Sequence, residues 1–266
     1  MNIKFYDRFD LDKTLDCGQC FRWNKVGDSW SGVVNGKSVI ARFSNDTLKI
    51  ESDLCDLRFW ENYFDLRTDY VTIINDLSKI DNILERSIDK NVGIHILNQD
   101  PWEVLCSFII SQNNNIKRIK GIIDRLCKNF GDCLNGVYSF PNAQRVSLLN
   151  LDDLSVIRAG FRSKYILEAS KFVCSKEFDF DEICKLDTIS SMKILQRIKG
   201  IGPKVSSCIL LFGFHKLDSF PIDTWMKKVM SKFYKGKSPD YFGKYAGIAQ
   251  QYLFMWSRNN KDIFLD

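Results

Sequence analysis

Hydrophobic and polar residues alternate along roughly the first sixty positions and recur at helical spacing from there to the end of the chain. The stretches Thr14–Trp23, Trp30–Val34, Lys37–Phe43 and Thr47–Glu51 carry the two-residue period of strands with one buried face. Turn signals separate them at Val26-Gly-Asp28, Asn35-Gly36 and Asn45-Asp46. Asn35-Gly36, between Val33-Val34 and Ser38-Val39-Ile40, predicts a two-residue hairpin, because both central residues of that turn need positive φ. This part reads as a small antiparallel sheet. Cys17 and Cys20 fall in its first strand and point to opposite faces unless Gly18 between them marks a bulge or a close backbone approach.

Beyond residue 60 the period becomes helical. Tyr70–Leu77 and Asn82–Lys90 read as short helices, and Asp100-Pro101 opens the apolar run Trp102–Ile110 with a cap and an N1 proline. That run predicts a buried central helix, ending at Ser111-Gln-Asn-Asn-Asn115. Ile116, Ile119, Ile122, Ile123, Leu126 and Phe130 then mark an amphipathic helix. Short helices fill residues 141–158, the glycine turn Ala159-Gly-Phe-Arg-Ser-Lys164 leads into a helix over Tyr165–Cys174, and a last helix runs roughly from Tyr241 to Arg258. The pattern predicts an α+β fold. A small N-terminal antiparallel β domain with flanking helices, residues 1–95, packs on a mostly helical core, residues 96–266.

One helical junction carries more chemistry than the others. Met192, Ile194, Leu195 and Ile198 recur at helical spacing before Gly200, and Val205, Cys208, Ile209, Leu211 and Phe212 do so after Pro203. Two helices therefore meet near residues 190–213 at a short turn containing Gly200 and Gly202. Pro203 suits the first turn of the outgoing helix, whose unpaired N–H groups form a site for a phosphate. Lys204 follows at once, where the helix dipole disfavours a cation and an amine that gives up its proton becomes a nucleophile. After the Phe220-Pro221 break, Asp223 precedes another helical pattern and reads as an N-cap or first-turn carboxylate. The turn alone fits a plain helix–turn–helix corner. A lysine and a carboxylate at neighbouring helix starts beside a phosphate-binding turn form a more specific set.

Composition narrows the partners. The chain has 266 residues, 45% of them apolar, enough for a sizeable core, and a formal charge of +5 that permits a nucleic-acid partner without demanding one. Nine cysteines without a secretory leader suggest a reduced intracellular compartment, cytoplasm or nucleoid in a prokaryote. Cys17-Gly-Gln-Cys20 matches the redox and metal motif C-x-x-C, but no second pair joins it and neither His95 nor His215 completes a ligand set. The absence of cysteine after Cys208 excludes a carboxy-terminal four-cysteine iron–sulfur cluster from this sequence. No segment approaches eighteen uninterrupted apolar residues, so no membrane partner is expected. The asparagines Asn113–Asn115 serve either as a polar cap or as contacts to bases and phosphates, with Arg118 and Lys120 close by. Phe161, flanked by Gly160 and Arg162, either closes the core or is a ring that wedges between bases.

Taken together, these blocks resemble the 8-oxoguanine DNA glycosylase/AP lyase family of the helix-hairpin-helix superfamily. The matching residues are Thr14-Leu-Asp-Cys-Gly18-Gln-Cys-Phe-Arg-Trp23, Asp100-Pro-Trp-Glu with Gln112-Asn-Asn-Asn-Ile-Lys-Arg118, Ala159-Gly-Phe-Arg162, Gly200-Ile-Gly-Pro-Lys204, Pro221-Ile-Asp223 and Tyr245-Ala-Gly-Ile-Ala-Gln250. The resemblance implies a helix-hairpin-helix glycosylase core and a monomer acting on double-stranded DNA containing 8-oxoguanine, preferably opposite cytosine. It casts Lys204 as the nucleophile that forms a Schiff base and Asp223 as the stabilising carboxylate. Gly18, Cys208, Gln250 and Phe254 become the lesion-base contacts, with the Gly18 carbonyl accepting the N7–H that guanine lacks. Asn113, Arg118 and Arg162 hold the orphaned cytosine, Phe161 is the wedge, and Gly200 and Gly202 hold the DNA backbone. No cofactor is required and no metal takes part in the chemistry, although hairpin carbonyls in the family can hold a structural monovalent cation. The chain departs from the better-known eukaryotic members at Phe161, Phe212 and Trp225, where these have tyrosine, methionine and a phosphate-contacting histidine. The competing readings are a glycosylase of the same fold for another damaged base and a non-catalytic DNA-binding protein.

Overall fold

The structure is a computed structural model that describes residues 1–4 and 8–264, and its architecture is the expected α+β one. Five antiparallel strands, β1 (Asn2–Lys4), β2 (Trp23–Val26), β3 (Ser29–Val34), β4 (Lys37–Ser44) and β5 (Thr47–Ser52), form one sheet in the order β1-β5-β4-β3-β2. Two of the predicted turns close hairpins with positive φ at both loop residues, 49° and 72° at Asn35 and Gly36 and 48° and 54° at Asn45 and Asp46. Val34 pairs with Lys37 and Ser44 with Thr47, so the loop chemistry fixes the register.

The expected first strand from Thr14 is not formed. Leu11–Asp16 make a helix, α1, whose N-cap Asp10 accepts the Lys13 N–H and whose buried positions are Leu11, Thr14 and Leu15. That i, i+3, i+4 spacing and the aspartate cap outweigh the short alternation that follows. The chain then runs irregularly from Cys17 and enters the sheet at Trp23. Cys17 joins the helical core and Cys20 the sheet core, so the two side chains do separate, with Gly18 at a φ of 82° between them.

Helix α2 (Leu57–Tyr63) covers the sheet, and its Tyr63 hydroxyl accepts the Trp23 indole N–H at 2.8 Å. Helices α3 (Tyr70–Ser78) and α4 (Asn82–Asn91) precede residue 96 in sequence, yet their Ile73, Leu77, Leu84 and Ile88 belong to the helical core. Helix α5 (Pro101–Ser111) is buried along nearly its whole length and capped by Asp100. After it come α6 (Ile116–Phe130), the small hairpin β6 (Cys133–Leu134) and β7 (Val137–Tyr138), α7 (Ala143–Ser147), α8 (Arg162–Val173), α9 (Phe180–Lys185), α10 (Thr188–Leu195), α11 (Pro203–Gly213), α12 (Thr224–Phe233) and α13 (Ala246–Asn259). α5 packs against α11, and α13 against α4 and α12. The last helix starts five residues later than its periodicity suggests, because Gly243 at φ 65°, ψ −154° breaks the path.

A buried polar knot ties the far end of α11 to the segment below the sheet. His215 Nε2 lies 3.1 Å from Asp65 Oδ2, and the hydroxyls of Thr68 and Tyr70 donate to the same carboxylate at 2.7 and 2.8 Å. Burial raises the Asp65 carboxyl, but His215 and the two hydroxyls more than reverse this and hold it below its usual range. A carboxylate depressed on folding contributes stability that is present above its unfolded pKa and lost as pH falls through the folded one. Asparagine tolerates the positive φ of 51° at this position. Asp65→Asn is therefore expected to cost about 1–3 kcal/mol at neutral pH and to flatten the acid-side fall of Tm, which thermal unfolding from about pH 7 to about pH 3 measures.

Candidate active site

The turn between α10 and α11 uses its two glycines differently. Gly200 has a φ of 91°, and a Cβ there would lie 2.4 Å from Tyr165 Cγ, so backbone and packing both require glycine. Gly202 has an ordinary φ of −96°. Among the described residues, no atom beyond its two chain neighbours lies within 4 Å of a Cβ built on it. Its bareness serves nothing inside the chain and leaves room for another molecule's backbone in front of the helix. No side chain caps α11, so its first N–H groups face that space, with Pro203 at the first position.

Lys204, the second residue of α11, reaches over the Phe108 ring at 5.3 Å from its centroid into a cavity of about 60 Å³. The cavity wall brings together Lys204, Asp223, Gly18, Cys208, Gln250 and Phe254, every residue that the resemblance assigns to catalysis or to the lesion base. Asp223 caps α12 and accepts the Met226 N–H at 2.8 Å, which fixes the carboxylate in place. Burial raises its carboxyl above the usual range, and the Met226 N–H, the Lys204 charge and the Trp225 N–H reverse this only in part. Burial likewise pushes up the Cys208 thiol despite the neighbouring lysine, so this residue offers the cavity a neutral surface. Phe212 continues it by stacking on Phe108 at 5.3 Å. Gly18 lies over the opposite wall, where a Cβ would touch the Phe254 ring at 3.8 Å.

The loop that carries Gly18 is held by residues that the sequence reading passed over. Gln19, 1% exposed, donates to the carbonyls of Thr14 and His95 at 2.8 Å each and accepts the Leu97 N–H at 2.9 Å. Gln99 donates to the Gln19 carbonyl at 2.8 Å, and Arg258 of α13 to the Asp16 carbonyl at 3.2 Å. The available signal was an amide between two cysteines in an apolar setting, since a buried amide must find partners. Burial raises the Cys17 thiol to about 12, which leaves it un-ionised and unsuited to redox or metal work. Among the described residues, no group of three or more His, Cys, Asp or Glu is placed to hold a metal ion, and no helix is long and apolar enough to cross a membrane.

A second cluster gathers at the end of α5. Asn113, at a φ of 47°, and Arg118 are exposed, and Phe161 is 57% exposed, which removes the core-closing alternative for that ring. Arg162 is instead 3% exposed. Its guanidinium donates to the carbonyls of Gln112, Asn113 and Ala159, capping the C-terminal end of α5 and holding the turn that presents Asn113. Burial first, and the charge of Arg118 second, draw its guanidinium down from the usual range. Phe161 packs edge-on to Tyr165 at 5.8 Å, and Tyr165 in turn braces Gly200, so the exposed ring and the hairpin share one support.

Residues 2–105 match the model of the 8-oxoguanine DNA glycosylase N-terminal domain, and residues 106–242 that of the HhH-GPD superfamily base excision DNA repair protein. An N-glycosylase/DNA lyase of Saccharomyces cerevisiae is 31% identical over 159 residues, covering 54% of this chain and 42% of the relative's length. An 8-oxoguanine glycosylase/lyase of Clostridium acetobutylicum is similar in two solved structures. Its apo form is 34% identical with a TM-score of 0.89, over 96% of this chain and 95% of that one. Its complex with double-stranded DNA containing cytosine opposite 8-oxoguanine is 33% identical with a TM-score of 0.88, over 98% of each chain. Matched in both its sheet domain and its hairpin core, the chain belongs to the 8-oxoguanine DNA glycosylases of the HhH-GPD superfamily.

Proposed function

We propose that this protein is a bifunctional glycosylase and AP lyase that flips 8-oxoguanine out of duplex DNA, preferably opposite cytosine, and excises it. The observation that carries the reading is the single cavity in which the Lys204 amine, the Asp223 carboxylate, the Gly18 backbone and the Gln250 amide converge. The Lys204 amine, once it has given up its proton, attacks C1′ of the flipped nucleotide, and the bond to the base breaks with its electron pair leaving on the base. Asp223 faces the positive charge that develops on the sugar. As the sugar ring opens, one amine proton passes to O4′ and leaves a protonated Schiff base on Lys204; the departed base, which carries the electron pair, takes the C2′ proton, and the 3′ phosphate is expelled. A non-catalytic binder has no use for a lysine and a half-buried carboxylate on one cavity wall.

Selection rests on one hydrogen. 8-Oxoguanine carries an N7–H donor where guanine has an acceptor lone pair, and the Gly18 carbonyl accepts the donor but opposes the lone pair. An acceptor set against an acceptor in a closed slot costs about 1–3 kcal/mol. Cys208 and Phe254 form the two faces of the slot, and Gln250 reads the far edge. The α11 N-terminus and Gly202 take a DNA phosphate, Phe161 wedges into the vacated stack, and Asn113 and Arg118, held by Arg162, face the orphaned cytosine. Trp225 replaces the family's histidine, and Lys228 sits 5.1 Å over its ring, so a cation is still offered beside the lesion phosphate. A monovalent cation on hairpin carbonyls remains a proposal of the same kind, and no step of the reaction runs through it.

Single-turnover release from a duplex carrying 8-oxoguanine opposite cytosine, with guanine in the same sequence as control, tests the reading. Release of the oxidised base alone is expected. Release of neither base would turn the cavity over to another lesion, and release of both would remove Gly18 as the discriminator. Arg118→Ala is expected to lower the preference for cytosine over adenine opposite the lesion by about tenfold, read as excision rates across the four opposing bases. Unchanged ratios would dismiss that contact.

A further inference from the structure

One polar atom in the cavity wall has no use in this mechanism. Gln251 is 3% exposed and lines the cavity beside Gln250. Its Nε2 donates to Gln250 Oε1 at 2.7 Å, while its own Oε1 is buried without a hydrogen-bond partner. Adjacent residues on a helix normally diverge, so a bond between their side chains means that both amides turn toward one place. A buried acceptor left unpaired is costly, and one retained in a binding cavity calls for a donor that arrives with the ligand.

The bond between the two amides also settles what each can offer. With its Oε1 engaged, Gln250 presents its Nε2 as a donor, and Gln251 presents its Oε1 as an acceptor. The Watson–Crick edge of a guanine-type base shows the complementary order, an O6 acceptor beside the N1–H and 2-amino donors. We propose that Gln250 and Gln251 read this edge jointly. Gln250 Nε2 donates to O6 and Gln251 Oε1 accepts from the adjacent N–H groups, which makes Gln251 a specificity-determining residue. This inference rests on the functional reading above and extends it from one amide to a pair.

8-Oxoadenine isolates the contact. It shares the N7–H and the C8 carbonyl with 8-oxoguanine, so Gly18 treats the two alike, but its Watson–Crick edge has a donor where guanine has O6 and an acceptor at N1. Gln251→Met keeps the length of the side chain and removes both amide atoms. The variant is expected to excise 8-oxoguanine about 10- to 100-fold more slowly in single turnover, with 8-oxoadenine excision changed by less than about threefold. A preformed abasic site, which has no base to read, is expected to be cleaved at the wild-type rate. Undiminished 8-oxoguanine excision, or an equal loss on all three substrates, would overturn the inference, the second outcome marking a merely structural role. Wild-type protein that cleaved abasic sites but released neither oxidised base would overturn the functional reading itself, and the inference with it.

Discussion

Lys204→Gln is expected to abolish base release and the borohydride-trapped adduct together, a loss on the order of 10⁴-fold or more, while binding to lesion DNA persists. The amide has no nucleophilic lone pair and cannot form an imine, so both activities fail at the same atom. The helix start itself should not change. The glutamine keeps the second position of α11, leaving the uncapped N–H groups and the open face of Gly202 as they are. Removing the cation relieves an unfavourable dipole interaction of about 0.3–1 kcal/mol but also removes its attraction to Asp223 and its contact with the Phe108 ring, so Tm should change little. Base release, trapping, duplex affinity and Tm measured on one preparation check the whole set. Strand cleavage retained by the variant would move the nucleophile elsewhere.

Asp223→Asn is expected to slow base release by about 10²- to 10³-fold without lowering stability. Asparagine caps a helix as well as aspartate does, so the bond to the Met226 N–H survives the change. The charge does not survive, and its loss has a definite sign. Because burial places the folded pKa of Asp223 above its unfolded value, the folded state holds the proton more tightly. Stability contributed by this group is therefore full below the unfolded pKa and is lost as pH rises through the folded one. The asparagine variant escapes that loss, so its Tm should exceed the wild-type value near neutral pH and converge with it in acid. The wild-type excision rate should fall on the acid side as Asp223 takes up its proton, at a pH above the ordinary carboxylate range, and the variant should lack this limb. Thermal unfolding and single-turnover rates across pH measure both halves. A variant that lost stability and activity together would make Asp223 a cap and nothing more.

The legible parts of the molecule were those set by local chemistry. Asn35-Gly36 fixed a hairpin, Asp100-Pro101 a helix start, and Gly200 with Pro203 a helical junction, because each depends on a φ value or an N–H group within a few residues. The segment from Thr14 to Arg22 was misread because the Asp10 cap and the three buried positions of α1 span one short turn of helix, too little period to outweigh the alternation beside it. Long-range bonds left no local signature. Gln19 meets His95 and Leu97, Arg162 caps α5 across fifty residues of sequence, and His215 reaches Asp65 from the other side of the chain. The roles assigned to Cys208 and Gln250 came from family resemblance, since Cys208 looks like a core position by spacing and the last helix by itself supports nothing more than packing. Gln251 was not singled out at all, because an unpaired atom is visible only once the walls around it are known.

Peptide mapping of the adduct trapped by borohydride on a duplex containing 8-oxoguanine opposite cytosine tests most directly whether this cavity performs the chemistry. The expected result is one reduced linkage between the sugar and Lys204, absent with undamaged duplex. A linkage at another lysine, or base release with no adduct, would contradict it.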